Sequence, residues 1–192
     1  MQAVTEETPG GESFAVVEFG TNANTVVGMT SHNEALQELN GLVYTGGYTN
    51  HAEAISHCQA TFDTYSGSNR ENVILLVTDG VATRPGKDPF GAATAAADSA
   101  KEAGTTILPV FIQPLATVTA FSANAVEAAA IAQQELNYMI GLSSEGMVTD
   151  VTNFEELSSL IDGLVPQIAC RTSIPSSAPS SDEPTVSIYI LL

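Results

Sequence analysis

Tryptophan is absent, and only five lysines and arginines stand against 22 aspartates and glutamates in 192 residues, a formal net charge of −17. Such a chain repels a phosphate backbone rather than gripping it, which excludes nucleic acid as a partner. There are just two cysteines, Cys58 and Cys170. They make no disulfide framework, and neither has the closely spaced Cys or His neighbours of a zinc site. No apolar run approaches the ~20 residues of a membrane span. Val186 to Leu192 is apolar but short, so a membrane enters only if that segment leads into an anchor. The stretch Met1 to Gly11 has neither a basic start nor an apolar core, so no secretory signal is read in it. What is present is a hydrophobic content of 44% with 14% charged residues, sufficient for one domain with a sizeable core.

Along the chain, Phe14–Phe19 and Asn24–Thr30 read as two strands joined by a Gly/Asn turn, a hairpin. Asn33 is expected to cap a helix carrying Ala35, Leu36, Leu39 and Leu42 on one side. The loop Thr45-Gly-Gly-Tyr-Thr-Asn50 feeds a second helix, in which Ala54, Ile55, Cys58, Phe62 and Tyr65 recur at helical spacing. Cys58 therefore reads as a small buried thiol. Asn72–Asp79 is a continuous β-branched and Leu run ending in a carboxylate, as expected of a strand buried on both faces of a parallel sheet. Ala92–Ala103 predicts a helix closed by Gly104, and Thr105–Ile112 a strand whose Pro109 favours an edge position or a bulge. A helix over Asn124–Ile140, a short strand over Gly146–Val151 and a last helix over Asn153–Cys170 follow. The alternation predicts a doubly wound, Rossmann-like α/β fold: a mostly parallel sheet with one antiparallel edge hairpin and helices on both faces. Residues 1–12 read as a disordered or remnant segment, 13–170 as the domain, and 171–192, rich in Ser and Pro, as a tail or linker.

In such sheets ligands bind beyond the carboxyl ends of the strands. Thr49, after two glycines and before a helix, and Asp79, closing the strongest strand ahead of Gly80, both fall there. A hydroxyl and a carboxylate are hard oxygen donors suited to Mg²⁺, Mn²⁺ or Ca²⁺ rather than zinc. On spacing alone two plainer readings stand beside this: an Asp-Gly turn and a Thr N-cap. Two alternatives also stay open: a hydrolase or phosphotransferase using Asp79 as acceptor, and a metal-free scaffold that binds partners through another face. No P-loop or Gly-x-Gly-x-x-Gly follows a strand, so nucleotide binding has no anchor.

Phe14-Ala-Val-Val-Glu-Phe, Thr45-Gly-Gly-Tyr-Thr-Asn before Ala52-Glu-Ala-Ile, Val73-Ile-Leu-Leu-Val-Thr-Asp-Gly80, Ala100-Lys-Glu-Ala-Gly-Thr-Thr-Ile-Leu-Pro-Val110 and the ending Asn153-Phe-Glu-Glu-Leu to Cys170 resemble, in that order, a von Willebrand factor type A domain. The resemblance implies that Thr49 and Asp79 match the Thr and second Asp of that family's metal-ion-dependent adhesion site. It also implies that the domain binds a protein partner, of the extracellular-matrix or cell-surface kind, rather than catalysing. The family's Asp-x-Ser-x-Ser and the strand before it are not found; Asp63-Thr-Tyr-Ser-Gly-Ser68 has the wrong spacing. The chain is accordingly expected to be N-terminally incomplete as a fold, with two open strand edges at mid-sheet and weak metal binding at most. By the same resemblance, Cys170 matches a cysteine that pairs with one ahead of the first strand, which places the protein outside the cell or on its surface.

Overall fold

The computed structural model describes residues 13–43, 47–65, 70–112, 125–151 and 185–191. Among them the order is β1 (Ser13–Phe19), β2 (Ala23–Thr30), α1 (His32–Gly41), α2 (His51–Tyr65), β3 (Arg70–Thr78), α3 (Pro89–Glu102), β4 (Thr106–Ile112), α4 (Ala125–Leu142), β5 (Thr149–Val151) and β6 (Thr185–Leu191). The strands form one sheet in the order β2-β1-β6-β3-β4-β5. Only the β1–β2 pair is antiparallel, and it lies at one edge. The predicted α/β architecture with an edge hairpin is what the chain adopts. The last predicted helix, Asn153–Cys170, and Cys170 itself lie outside the described residues, as do residues 1–12.

Two apolar layers sandwich the sheet. On one face Ala15, Val17, Ile74, Leu76, Ile107 and Phe111 pack against Ala54, Ile55, Cys58 and Phe62 of α2, Ala93, Ala97 and Ala100 of α3, and Met139 and Leu142 of α4. The alanines of α3 recur at four- and three-residue steps, so a smooth stripe of methyls lets that helix approach closely. On the other face Phe14, Val16, Val73, Leu75, Val77, Val110 and Ile188 form a second layer, reached by Ala35 and Leu39 of α1 and by Leu42 just past its end. β3 presents alternate residues to the two layers and is buried from Val73 to Thr78, as its unbroken apolar run demands.

Three expectations are corrected. α1 is capped by Ser31, not Asn33: Glu34 N donates to the Ser31 hydroxyl while the Glu34 carboxylate reaches back to the Ser31 N–H, a reciprocal capping box. Pro109 stands in a strand paired on both sides rather than at an edge or bulge. The physical reason is that β5 is only three residues long and pairs with Val110–Ile112. The backbone nitrogens of Ile107 and Pro109 fall on the same side of β4. That of Ile107 donates to Ser144 Oγ at 2.9 Å, so the donor Pro109 lacks is missing where no neighbouring strand is reached.

The third correction concerns the end of the chain. Thr185–Leu191, read as part of a tail, forms a strand at the centre of the sheet. It runs parallel to both neighbours, from Ser13↔Ser187 to Val17↔Leu191 on β1 and from Arg70↔Thr185 to Leu76↔Leu191 on β3. The two edges expected to be open are thereby paired, and the backbone groups of two buried strands are satisfied. Strand propensity was visible in Thr-Val-Ser-Ile-Tyr-Ile-Leu, but the Ser/Pro-rich run ahead of it argued for a linker.

Candidate site at the carboxyl rim of the sheet

β1, β3 and β6 all run toward the same rim, where the β1–β2 turn, the loop 47–50 and the loop after β3 converge. Asn50 holds the first two together: its Nδ2 donates to Thr21 O at 3.0 Å, and its Oδ1 accepts from Glu53 N at 3.2 Å, capping α2. The cap is thus Asn50 and not Thr49. Gly47, at φ +123°, takes a backbone conformation that side chains rarely adopt, and a Cβ there would sit 3.6 Å from the Thr21 hydroxyl.

Thr49 is clamped by its main chain. Its carbonyl accepts from Thr83 N at 2.8 Å and Arg84 N at 3.1 Å, and its N–H donates to Thr83 Oγ1 at 2.9 Å. The Thr49 hydroxyl, released from capping, lies 4.0 Å from where a Cβ on Gly80 would be, an ordinary contact distance, so it sits against the Gly80 turn. Asp79 precedes Gly80 and is exposed. The structure therefore brings Thr49 to the turn that carries Asp79, at one end of the sheet. No group of three or more His, Cys, Asp or Glu able to hold a metal occurs among the described residues.

Beneath this turn lies a buried polar relay that sequence reasoning missed. His51, fully buried at the first position of α2, places Nδ1 2.8 Å from the Tyr138 hydroxyl and Nε2 3.2 Å from Thr78 Oγ1. Thr78 donates to Gly80 O and accepts from Gly80 N, so its single proton is committed and it can only accept from His51. That fixes a neutral imidazole protonated on Nε2, with Tyr138 donating to Nδ1 and accepting from the Ala82 backbone. Burial holds the His51 pKa down, at about 4 against an ordinary 6.5, and pushes the Tyr138 hydroxyl well above its usual range. Phe19 meets His51 edge-on at 5.5 Å and Phe90 stacks on Tyr138 at 4.4 Å, so the imidazole is walled by rings while Tyr138 stays half-buried. The relay fixes the Asp79-Gly80 turn from α2 on one side and α4 on the other. His51 could have been flagged by its place between a loop and a helix; Tyr138 carried no signal in the sequence.

At the outer surface Arg84 lies over the ring of the exposed Tyr48, 3.9 Å from its centroid. Arg84 and Lys87 are two of the chain's five cationic side chains, and both stand on the loop after β3. Elsewhere Cys58 is buried, with its thiol pushed up by burial, as its helical spacing implied.

A sequence model of the von Willebrand factor type A domain matches residues 2–163. The chain belongs to that family. No curated protein matches it by sequence. Among solved structures, this type A domain is similar to proximal thread matrix protein 1 of the mussel byssus (18% identity, TM-score 0.55, covering 84% of this chain and 36% of that one). It is also similar to the pilus adhesin SpaC of Lactobacillus rhamnosus GG (14% identity, TM-score 0.63, 83% and 25%) and to BatB of Bacteroides thetaiotaomicron (18%, TM-score 0.51, 83% and 80%). The chain spans about a third or less of the first two proteins. No described helix of this type A domain is long and apolar enough to cross a membrane.

Proposed function

We propose that this type A domain is a non-enzymatic protein-binding module, of the adhesion type, whose carboxyl rim holds part of a metal-ion-dependent adhesion site formed by Thr49 and Asp79. The observation that carries the reading is the Thr49 hydroxyl, freed because Asn50 takes over the helix cap and seated against the Gly80 turn beside Asp79. The two side chains fit a divalent cation in kind, both being hard oxygen donors, but they fill only two of the six or more positions that Mg²⁺, Mn²⁺ or Ca²⁺ requires. Water supplies the remainder, so binding is weak. The cation would offer an open position to an acidic side chain of a protein partner. Arg84 and Lys87 on the adjoining loop support that polarity against the overall charge of −17. A matrix or cell-surface partner, and a place outside the cell, are favoured by the similarity to a byssal thread matrix protein and a pilus adhesin.

Mn²⁺ titrated into the labelled protein tests the site by paramagnetic broadening. The amides of Thr49, Asp79 and Gly80 should broaden first, Asp79→Asn should abolish the selectivity, and calorimetry with Mg²⁺ should show no micromolar site. Broadening spread evenly over the acidic surface refutes the assignment, and a micromolar or tighter calorimetric site refutes the incomplete coordination.

A further inference from the structure

The sheet consists of two halves that share no strand pairing: the hairpin β1–β2 and the three strands β3–β4–β5. β6 alone joins them, bonded along its length to both. Phe14 to Val17 of β1 and Val73 to Val77 of β3 are buried, so neither facing edge can be left to solvent once the halves have formed. The strand that fills the gap comes last in the sheet's chain order, after β5 at the far edge, across residues 152–184. Of that connection, 171–184 is dominated by Ser and Pro. By residue count the connection 152–184 is long enough to span to a neighbouring copy, so the balance between a chain's own site and a neighbour's is set by protein concentration against the effective concentration of the linked strand.

We infer that the gap between β1 and β3 is a strand-acceptor site, and that β6 of a second copy of this chain fills it as the chain's own β6 does here, giving a strand-exchanged dimer. Pairing of this kind is made by main-chain bonds and is indifferent to which copy supplies the strand. Ser187 is 1% exposed, yet its hydroxyl has no hydrogen-bond partner, so no polar side-chain bond from it ties β6 to one copy. Segment 185–191 carries no charge, whereas the whole chain carries −17. Two copies therefore repel at a distance but meet no repulsion from the exchanged strand itself, and salt should raise the dimer fraction by screening. This inference is independent of the metal reading, since it concerns strand connectivity and not the rim ligands.

Register partners identify the exchange. Ser13 and Ser187 are directly opposed on adjacent strands, a separation within the span of a disulfide. Full-length Ser13→Cys and full-length Ser187→Cys, each in a Cys170→Ser background, are unfolded together, refolded at high concentration and oxidised; the buried Cys58 is inert. The expected result is a heterodimer whose 13–187 disulfide is read by peptide mass spectrometry, in a yield that rises with protein concentration and with salt. The Ser13→Cys/Ser187→Cys double variant, diluted before oxidation, should close the same bond within a monomer. A bond that forms only within the double variant and never between the mixed chains overturns the inference. Failure of both overturns it too, because β6 is then not seated beside β1.

Discussion

The relay beneath the rim makes a quantitative claim about acid stability. His51 is neutral in the folded protein with a pKa of about 4, whereas in the unfolded chain it titrates near 6.5. Between those values the unfolded state binds a proton that the folded state refuses, so stability rises with pH across that window. Read downward, the folded state loses nothing from this group above pH 6.5, loses stability progressively below it, and loses no more once pH has passed about 4. At about 1.4 kcal/mol per pH unit the total is roughly 3 kcal/mol. No discount for solvent applies, because the ring is fully buried. For a domain of this size about 2–4 °C accompanies each kcal/mol, so the expected fall in melting temperature is roughly 6–12 °C. Glu34, whose carboxyl pKa is lowered by its bonds to Thr30 and Ser31, adds a separate loss that begins only at the acid end of this window and continues below it. The perturbation that isolates His51 is therefore His51→Gln, which removes the titration and leaves every other acid in place. Thermal unfolding of both proteins at half-unit intervals from pH 7 to pH 3.5 should show the parent losing more than the variant between pH 6.5 and pH 4, and the two falling in parallel below pH 4. If His51→Gln loses as much stability over that span as the parent, the buried neutral imidazole is wrong.

Two further outcomes follow from the packing. Tyr138→Phe removes the donor to His51 Nδ1 and strands a buried acceptor, so denaturant unfolding should report a loss of about 1–3 kcal/mol that does not add to the loss from His51→Gln. Gly104, just past the end of α3, has φ +88° with open space where a Cβ would go. Gly104→Ala should therefore cost about 1–2 kcal/mol through the backbone alone, and a neutral result would place the helix end elsewhere.

Much of the fold could be read from local pattern. The run Val73–Val77 needed no partner to declare itself a core strand, and the methyl stripe of α3 declared its inner face. The rim was legible for the same reason: Thr49 and Asp79 each close a pattern that the eye can follow. What was not legible depends on distant segments meeting. Ser31 displaced Asn33 as a cap because Glu34 answers it three residues on, a reciprocal bond that counts for more than the choice of cap residue. Asn50 outcompeted Thr49 because its amide could also reach the β1–β2 turn. The relay links residues 51, 78 and 138, and no periodicity announces a histidine that finds a tyrosine on another helix. The central position of β6 was hidden most deeply, since a short apolar run after a Ser/Pro stretch gives no hint of which edges await it.

Pro109 and the brevity of β5 carry a consequence for how far copies of this domain can accumulate. A foreign strand approaching that flank finds a position with no donor at 109, and at 107 a carbonyl and an amide already engaged by Ser144. Only three residues of β5 are left to greet it. That flank is thus blunted against sideways stacking, and self-association routed through the middle of the sheet ends in a closed pair instead of growing into a ribbon there.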